Sequence, residues 1–231
     1  MGEGKFNKLL VSLGLKFDDS NLLKQAFIHR SYLNETKIKI QSNERLEFLG
    51  DTILSFVISN ILYVKRPDDT EGDLTNLRSY IVKTPSLAKA AQQLGLGEYL
   101  FLSKGEDASG GRENPQLLAN TYEALIGTIF IDKGLEAAKS FIEKTLLPLF
   151  EKEIHFGPPK DAKSQLQEVV QEKLKESPQY RVITTEGPDH AKEFTVGVFI
   201  SGKNISKGKG SNKQEAEENA AANALKVLTT P

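Results

Sequence analysis

The chain has 231 residues, enough for one large domain or two small ones around a buried core, and 39% hydrophobic with 26% charged residues is ordinary for a globular protein. It has no cysteine, which excludes thiolate catalysis, zinc–thiolate sites and disulfides. No uninterrupted apolar run approaches the ~18 residues that cross a bilayer, and Met-Gly-Glu-Gly-Lys-Phe carries no apolar signal core, so a cytoplasmic chain without a membrane partner is expected. The net charge of −1 points to no class of partner, so any nucleic-acid site has to show itself in local clusters.

To about Glu153 the pattern is helical. Leu46, Leu49, Ile53, Phe56, Val57, Ile61 and Leu62 form a stripe at helical spacing. It predicts a helix from Ser42 to Lys65, about 36 Å long at ~1.5 Å per residue and stopped by Pro67. Thr70 caps a second helix to Lys83, with Leu74, Leu77 and Ile81 on one side. Thr84-Pro85 sets a cap and a first-turn proline at the head of a third, which Gly95 closes. A glycine-rich loop from Ser103 to Pro115 leads into a helix from Gln116 to Ile131, and a last helix follows Gly134 up to Phe150.

The stretch His155-Phe-Gly-Pro-Pro-Lys160 reads as a linker, because glycine and paired prolines do not continue a helix. Beyond it, Lys163 to Lys175 is helical and Gln179 to Glu186 is a strand. Gly187-Pro188-Asp189-His190 turns into an alternating strand at Phe194, Val196, Val198 and Ile200. A Gly202-Lys203 turn, a short third strand and a helix from Asn212 to Leu228 complete an α-β-β-β-α order. The expected organisation is an all-α domain over residues 1–154, a linker over 155–160 and an α+β domain over 161–231.

Glu44, Glu47 and Asp51 stand at i, i+3 and i+7, so a helix carries all three on one face, within an otherwise apolar run. Asn120 and Glu123 repeat the one-turn spacing inside Leu117 to Ile126, which is also apolar. Two buried helices offering oxygens at that spacing can hold a hard cation such as magnesium, which keeps waters for a phosphate to displace. Such an ion activates water and neutralises a phosphodiester. Spacing alone leaves this level with a plain solvated acidic face.

The nine residues Asn43-Glu-Arg-Leu-Glu-Phe-Leu-Gly-Asp51 resemble the motif of the ribonuclease III family, and the likeness extends through His29-Arg30-Ser31, Glu71-Gly72, Gly110-Gly111-Arg112 and Glu123-Ala-Leu-Ile-Gly127. The C-terminal unit resembles that family's double-stranded-RNA-binding domain. The resemblance implies a homodimeric endonuclease for double-stranded RNA that works in rRNA and mRNA processing. Each protomer cuts one strand by water attack, leaving 5′-phosphates and short 3′ overhangs. It implies Glu47, Asp51, Asn120 and Glu123 around Mg2+, with Mn2+ as a substitute, Asp51 and Glu123 being catalytic, and Glu44 and Glu71 as accessory acids. Phe48 and Gly50 fall to helix and dimer packing.

One position departs. The family usually has Asp where this chain has Asn120, which removes a negative charge from the site. An amide that serves as a ligand, a substitution introduced to stall cleavage, and natural loss of activity all remain open. The last two would make the chain a cleavage-impaired, RNA-binding dimer.

Lys203, Lys207, Lys209 and Lys213 lie within eleven residues free of Asp and Glu and run into the start of the last helix, where the backbone favours phosphate. Gly208-Lys209-Gly210-Ser211 lacks P-loop spacing, so no nucleotide cofactor is expected. By resemblance, Ser164, Gln167 and Glu168 meet one minor groove, Pro188 and His190 the next, and Ser211, Asn212 and Lys213 the phosphates between. Gln214 stands where that family typically has a second lysine. His29 reads as a structural histidine, and three scattered histidines give no zinc site.

Overall fold

The computed structural model describes residues 3–37, 39–159, 161–188 and 192–229. It divides into two compact units, Met1–Pro158 and Pro159–Pro231.

In the first unit α1 (Glu3–Leu13) and α2 (Ser20–Ala26) precede a 3-10 turn at Arg30–Asn34. Then come α3 (Glu44–Lys65), α4 (Glu71–Val82), α5 (Thr84–Gln93) and a 3-10 turn at Leu96–Tyr99. After α6 (Lys104–Ala108) and a 3-10 turn at Gly111–Glu113 follow α7 (Pro115–Lys133), α8 (Leu135–Thr145), a 3-10 turn at Leu147–Phe150 and α9 (Glu151–Phe156). The core gathers Leu54, Ile58 and Leu62 of α3 with Tyr122, Leu125 and Ile129 of α7, all fully buried. By length and composition α3 could cross a bilayer, contrary to what the broken apolar runs suggested, yet it is a core helix with an acidic first turn.

Several boundaries differ from the sequence expectation, each for a local reason. The long helix opens at Glu44 because buried Asn43 spends its side chain on the carbonyl of Ala26 (3.2 Å) and its N–H on that of Ile28 (2.9 Å). Thr84 is inside α5 rather than capping it, with Lys83 at the cap position. The helix after Gly134 ends at Thr145, and Pro148, which lacks an N–H and crowds the preceding turn, sits in the 3-10 segment that follows. The glycine-rich loop is ordered around Arg112, whose guanidinium donates to the carbonyls of Gly97 (3.0 Å) and Leu100 (3.1 Å) and to Asp107 (2.8 Å). Thr70 caps α4 as expected, in a reciprocal box with Asp73.

His155 and Phe156, assigned to the linker by sequence, close α9. Arg66 Nη1 holds that end by donating to the carbonyls of Ile154 (3.0 Å) and His155 (2.6 Å). The division between units falls at Pro158 and Pro159, and Lys160 lies outside the described residues.

The second unit has the expected order: α10 (Ala162–Leu174), β1 (Gln179–Glu186), β2 (Glu193–Ile200), β3 (Lys203–Gly210) and α11 (Lys213–Thr229). The sheet is antiparallel in the order β1-β2-β3, and a bulge interrupts β1 between Val182 and Thr184. Val198 and Ile200 cluster with Leu166 and Val170 of α10 and Ala220, Ala221 and Ala224 of α11, and Val196 is buried on the same strand. Gly208 lets α11 lie directly on β3: a methyl there would overlap the backbone of Ala216 and Ala220. Asn219 and Asn223 then donate to the carbonyls of Lys209 (2.8 Å) and Lys207 (2.9 Å), which closes that edge of the sheet.

Candidate functional site

The acids meet because α3 and α7 cross with their backbones in contact. A methyl at Gly50 would overlap the carbonyl oxygen of Glu123, and one at Gly127 would overlap that of Leu46. With both residues glycine, Glu47 and Asp51 on α3 face Asn120 and Glu123 on α7. All four line one cleft of about 670 Å3, together with Glu44, Phe48, His29, Arg30 and Gln116.

Four of the lining residues are carboxylates and one, Arg30, is a cation that stands 3.9 Å from Glu44. Burial pushes Glu123 up to about 8, with Asp51 and then Glu47 adding repulsion. Burial also raises Glu47, helped by Glu44 and Asp51 and opposed by a hydrogen bond from Asn120. Asn120 Oδ1 in turn accepts from Gln116 Nε2 at 2.7 Å, one turn earlier on α7. The amide therefore turns its oxygen toward Gln116 and offers Glu47 a donor.

The donor set is three carboxylates and an amide, all oxygen, which suits a hard divalent cation. Among the described residues no three His, Cys, Asp or Glu side chains are gathered closely enough to enclose an ion as they stand. Burial and repulsion favour the protonated form of Glu123, and the Asn120 amide offsets part of the repulsion at Glu47.

Glu44 belongs to the cleft, bonded by Ser42 Oγ at 2.8 Å. Glu71, expected as an accessory acid, does not line it. It begins α4, beyond the far end of α3, and Asp51 to Lys65 alone rises about 21 Å. Its carboxylate accepts from Thr75 Oγ1 at 3.0 Å. Gly50 is a helix-packing residue, while Phe48 is 78% exposed at the cleft edge, in line along α3 with Phe56 and Tyr63, also exposed. Sequence reasoning missed Gln116 and Arg30; the i, i+4 spacing of Gln116 to Asn120 was the available signal for the first.

In the second unit, Ser164 bonds the cap Asp161 through its N–H (2.8 Å) and Oγ (3.0 Å), and Gln167 and Glu168 are exposed. Ser211 and Asn212 form the start of α11: Glu215 accepts from Ser211 N (2.7 Å) and Oγ (2.6 Å), and Asn212 Oδ1 accepts from Glu215 N (2.9 Å). A hollow of about 720 Å3 brings Ser164 and Gln167 beside Asn212 and Gln214. Lys213 and Pro188 are exposed, whereas His190 lies outside the described residues. Lys209 is paired with Glu193 across the strands, so that lysine is less free than its acid-poor segment suggested.

Two family models match: "Ribonuclease-III-like" over residues 19–149 and "Double-stranded RNA binding motif" over residues 162–228. Ribonuclease 3 of Geobacillus kaustophilus (strain HTA426) is 44% identical over 225 residues, which covers 97% of this chain and 91% of that protein. The chain belongs to the ribonuclease III family. Ribonuclease 3 of Enterococcus faecalis (strain ATCC 700802 / V583) is 45% identical over 216 residues, 93% of this chain and 94% of that protein. A solved nuclease domain of ribonuclease III from Campylobacter jejuni is 40% identical, with a TM-score of 0.59, covering 63% of this chain and 99% of that one. The molecule is thus a ribonuclease III-type endoribonuclease for double-stranded RNA, a helical nuclease domain followed by a double-stranded-RNA-binding domain.

Proposed function

We propose that this endonuclease works with Mg2+, or Mn2+ in its place, as a cytoplasmic homodimer in which each protomer hydrolyses one strand, leaving 5′-phosphates and short 3′ overhangs, in rRNA and mRNA processing. The observation that carries the metal reading is the meeting of Glu47, Asp51, Asn120 and Glu123 from two helices in one cleft whose charge is mostly negative. Magnesium, when bound, supplies the charge that makes water nucleophilic at neutral pH and offsets that of the phosphate. Glu47, Asp51 and Glu123 would hold it, and Glu123 gives up its proton to do so. The exposed line Phe48, Phe56 and Tyr63 supports dimerisation, and the nuclease domain from Campylobacter jejuni has a region involved in dimer formation. Incubation of the chain with a long RNA duplex, with and without each metal, tests the reading. Cutting only with metal, and products with 5′-phosphates, are expected.

Asn120 supports a second reading, an RNA-binding dimer with impaired cleavage, because its amide stands toward Glu47 as a donor. Band shift without cutting at every metal concentration favours it. Asn120→Asp restores a charge worth roughly 4 kcal/mol per unit of cation charge at ~4 Å and an effective dielectric of ~20, much of it offset by desolvation. At limiting magnesium this variant should cut about tenfold faster, the two rates converging as the metal saturates. Equal rates throughout would show that the amide costs nothing.

Gln214→Lys adds a cation at the exposed start of α11. Duplex RNA should bind more tightly, and the slope of log K against log salt should steepen by about one. An unchanged slope would remove position 214 from the interface.

A further inference from the structure

His29 lines the same cleft as the acids. Ser31 Oγ accepts the Ser103 N–H at 3.0 Å and lies 2.9 Å from His29 Nδ1, a contact in which either atom can donate. The Ser31 N–H also points at Nδ1, at 3.4 Å. The Ser31 N–H can only donate, so its contact calls for an unprotonated Nδ1 and places the imidazole proton on Nε2. The backbone under the ring is fixed as well: His29 N donates to Phe101 O (3.2 Å), next to the parallel bridge between Ile28 and Phe101.

Nε2–H has no partner among the described residues. His29 lines the cleft next to Arg30, whose exposed guanidinium stands 3.9 Å from Glu44, and the two also line an adjoining hollow with Asn34 and Glu106. A guanidinium and a pinned N–H are donors only, and they flank the acids. A backbone phosphate, which only accepts, is the chemical match.

We propose that His29 is a substrate-contacting residue, its Nε2–H donating to a phosphate oxygen of the RNA strand that lies in the acidic cleft. The inference rests on reading that cleft as the cleavage site. Burial, opposed by Glu106 and Glu44 and helped by Arg30, holds the imidazole below its ordinary range, which favours the neutral ring and a grip set by direction rather than charge. The sequence reading of a structural histidine is half retained: Nδ1 is structural and Nε2 is not.

Two near-isosteres separate these roles in the full chain. His29→Gln carries an amide nitrogen to about where Nε2 stands, and His29→Asn to about where Nδ1 stands. For a short RNA duplex with magnesium, His29→Ala and His29→Asn should lower kcat/KM roughly ten- to hundredfold, the range for losing a neutral donor to a charged acceptor. The loss should lie mainly in KM, and His29→Gln should keep most of the activity. Asn at or above Gln overturns the proposal, since that is the order a purely structural histidine gives. A second measurement needs no variant: the Nε2 nitrogen resonance of His29 in the wild-type chain should move when duplex RNA is added in EDTA. An unmoved resonance overturns the contact whatever the variants do. A chain that cuts RNA but is indifferent at position 29 fails this inference alone, whereas a chain that cuts with no metal fails the reading of the cleft.

Discussion

Gly50→Ala should destabilise the nuclease domain by roughly 3 kcal/mol or more, at the upper end of overpacking costs, because the added methyl meets backbone and not a side chain that can turn away. In a domain of this size that lowers Tm by about 6–12 °C. The two helices can accommodate it only by separating, which draws Glu47 and Asp51 away from Asn120 and Glu123. Cleavage should therefore fall further than the remaining folded fraction accounts for. Gly127→Ala presses on the same joint from the other helix, where its methyl would overlap Leu46 O and lie 3.1 Å from Gly50 N. Once one substitution has parted the helices the other costs less, so the double variant should lose less than the sum of the two. Calorimetry of the full chain, together with cleavage assayed well below both transitions, checks this. An unchanged Tm for Gly50→Ala would mean that the helices do not touch there.

Glu123→Gln is expected to lower cleavage at limiting magnesium by about tenfold or more, because it too removes one carboxylate charge beside the cation, much of whose Coulomb worth desolvation offsets. It should also change how the metal-free protein responds to pH. Folding raises the Glu123 pKa from 4.5 to about 8. Below about pH 4.5 the carboxyl is protonated whether the chain is folded or not, so the group costs nothing there. Between those values the unfolded chain gives up a proton that the folded one keeps. Stability in EDTA thus declines as pH rises and is fully lowered above the folded pKa. Glu47 is shifted in the same direction and adds to the slope. The variant should flatten the decline, which Tm in EDTA from pH 5 to 9 would record. Metal binding in the wild-type chain should release a proton below about pH 8 and strengthen as pH rises. A wild-type Tm that rises across this range would reverse the assignment of Glu123.

Much of this site was legible because helical periodicity converts spacing into direction. Glu44, Glu47 and Asp51 had to share a face, as had Asn120 and Glu123, and the motif around Asn43 linked the two groups. What spacing could not supply is which residue of one helix meets which of the other. That is why Gly50 was seen as packing without its partner, Gly127, and why spacing did not tell that Glu71 does not line this cleft. The same limit hid the pairing of Lys209 with Glu193, which lie diagonally across β2 and β3, sixteen positions apart. Boundaries failed where a side chain served a distant neighbour. Asn43 binds the end of α2 in place of capping α3, and no local rule encodes that choice.

The interruption in β1 has a consequence for how the molecule behaves in a crowd of its own copies. β1 and β3 are the two edge strands; side chains of α11 bond carbonyls of β3, while Val182 and Ile183 are exposed along β1. A straight apolar strand in that place would invite further strands to stack on it. The extra residue between Val182 and Thr184 breaks the regular spacing of backbone donors and acceptors, so an incoming strand cannot stay in register across it. Deleting Ile183 would restore that spacing. Nascent or concentrated chains would then be expected to precipitate sooner, even where RNA binding survives.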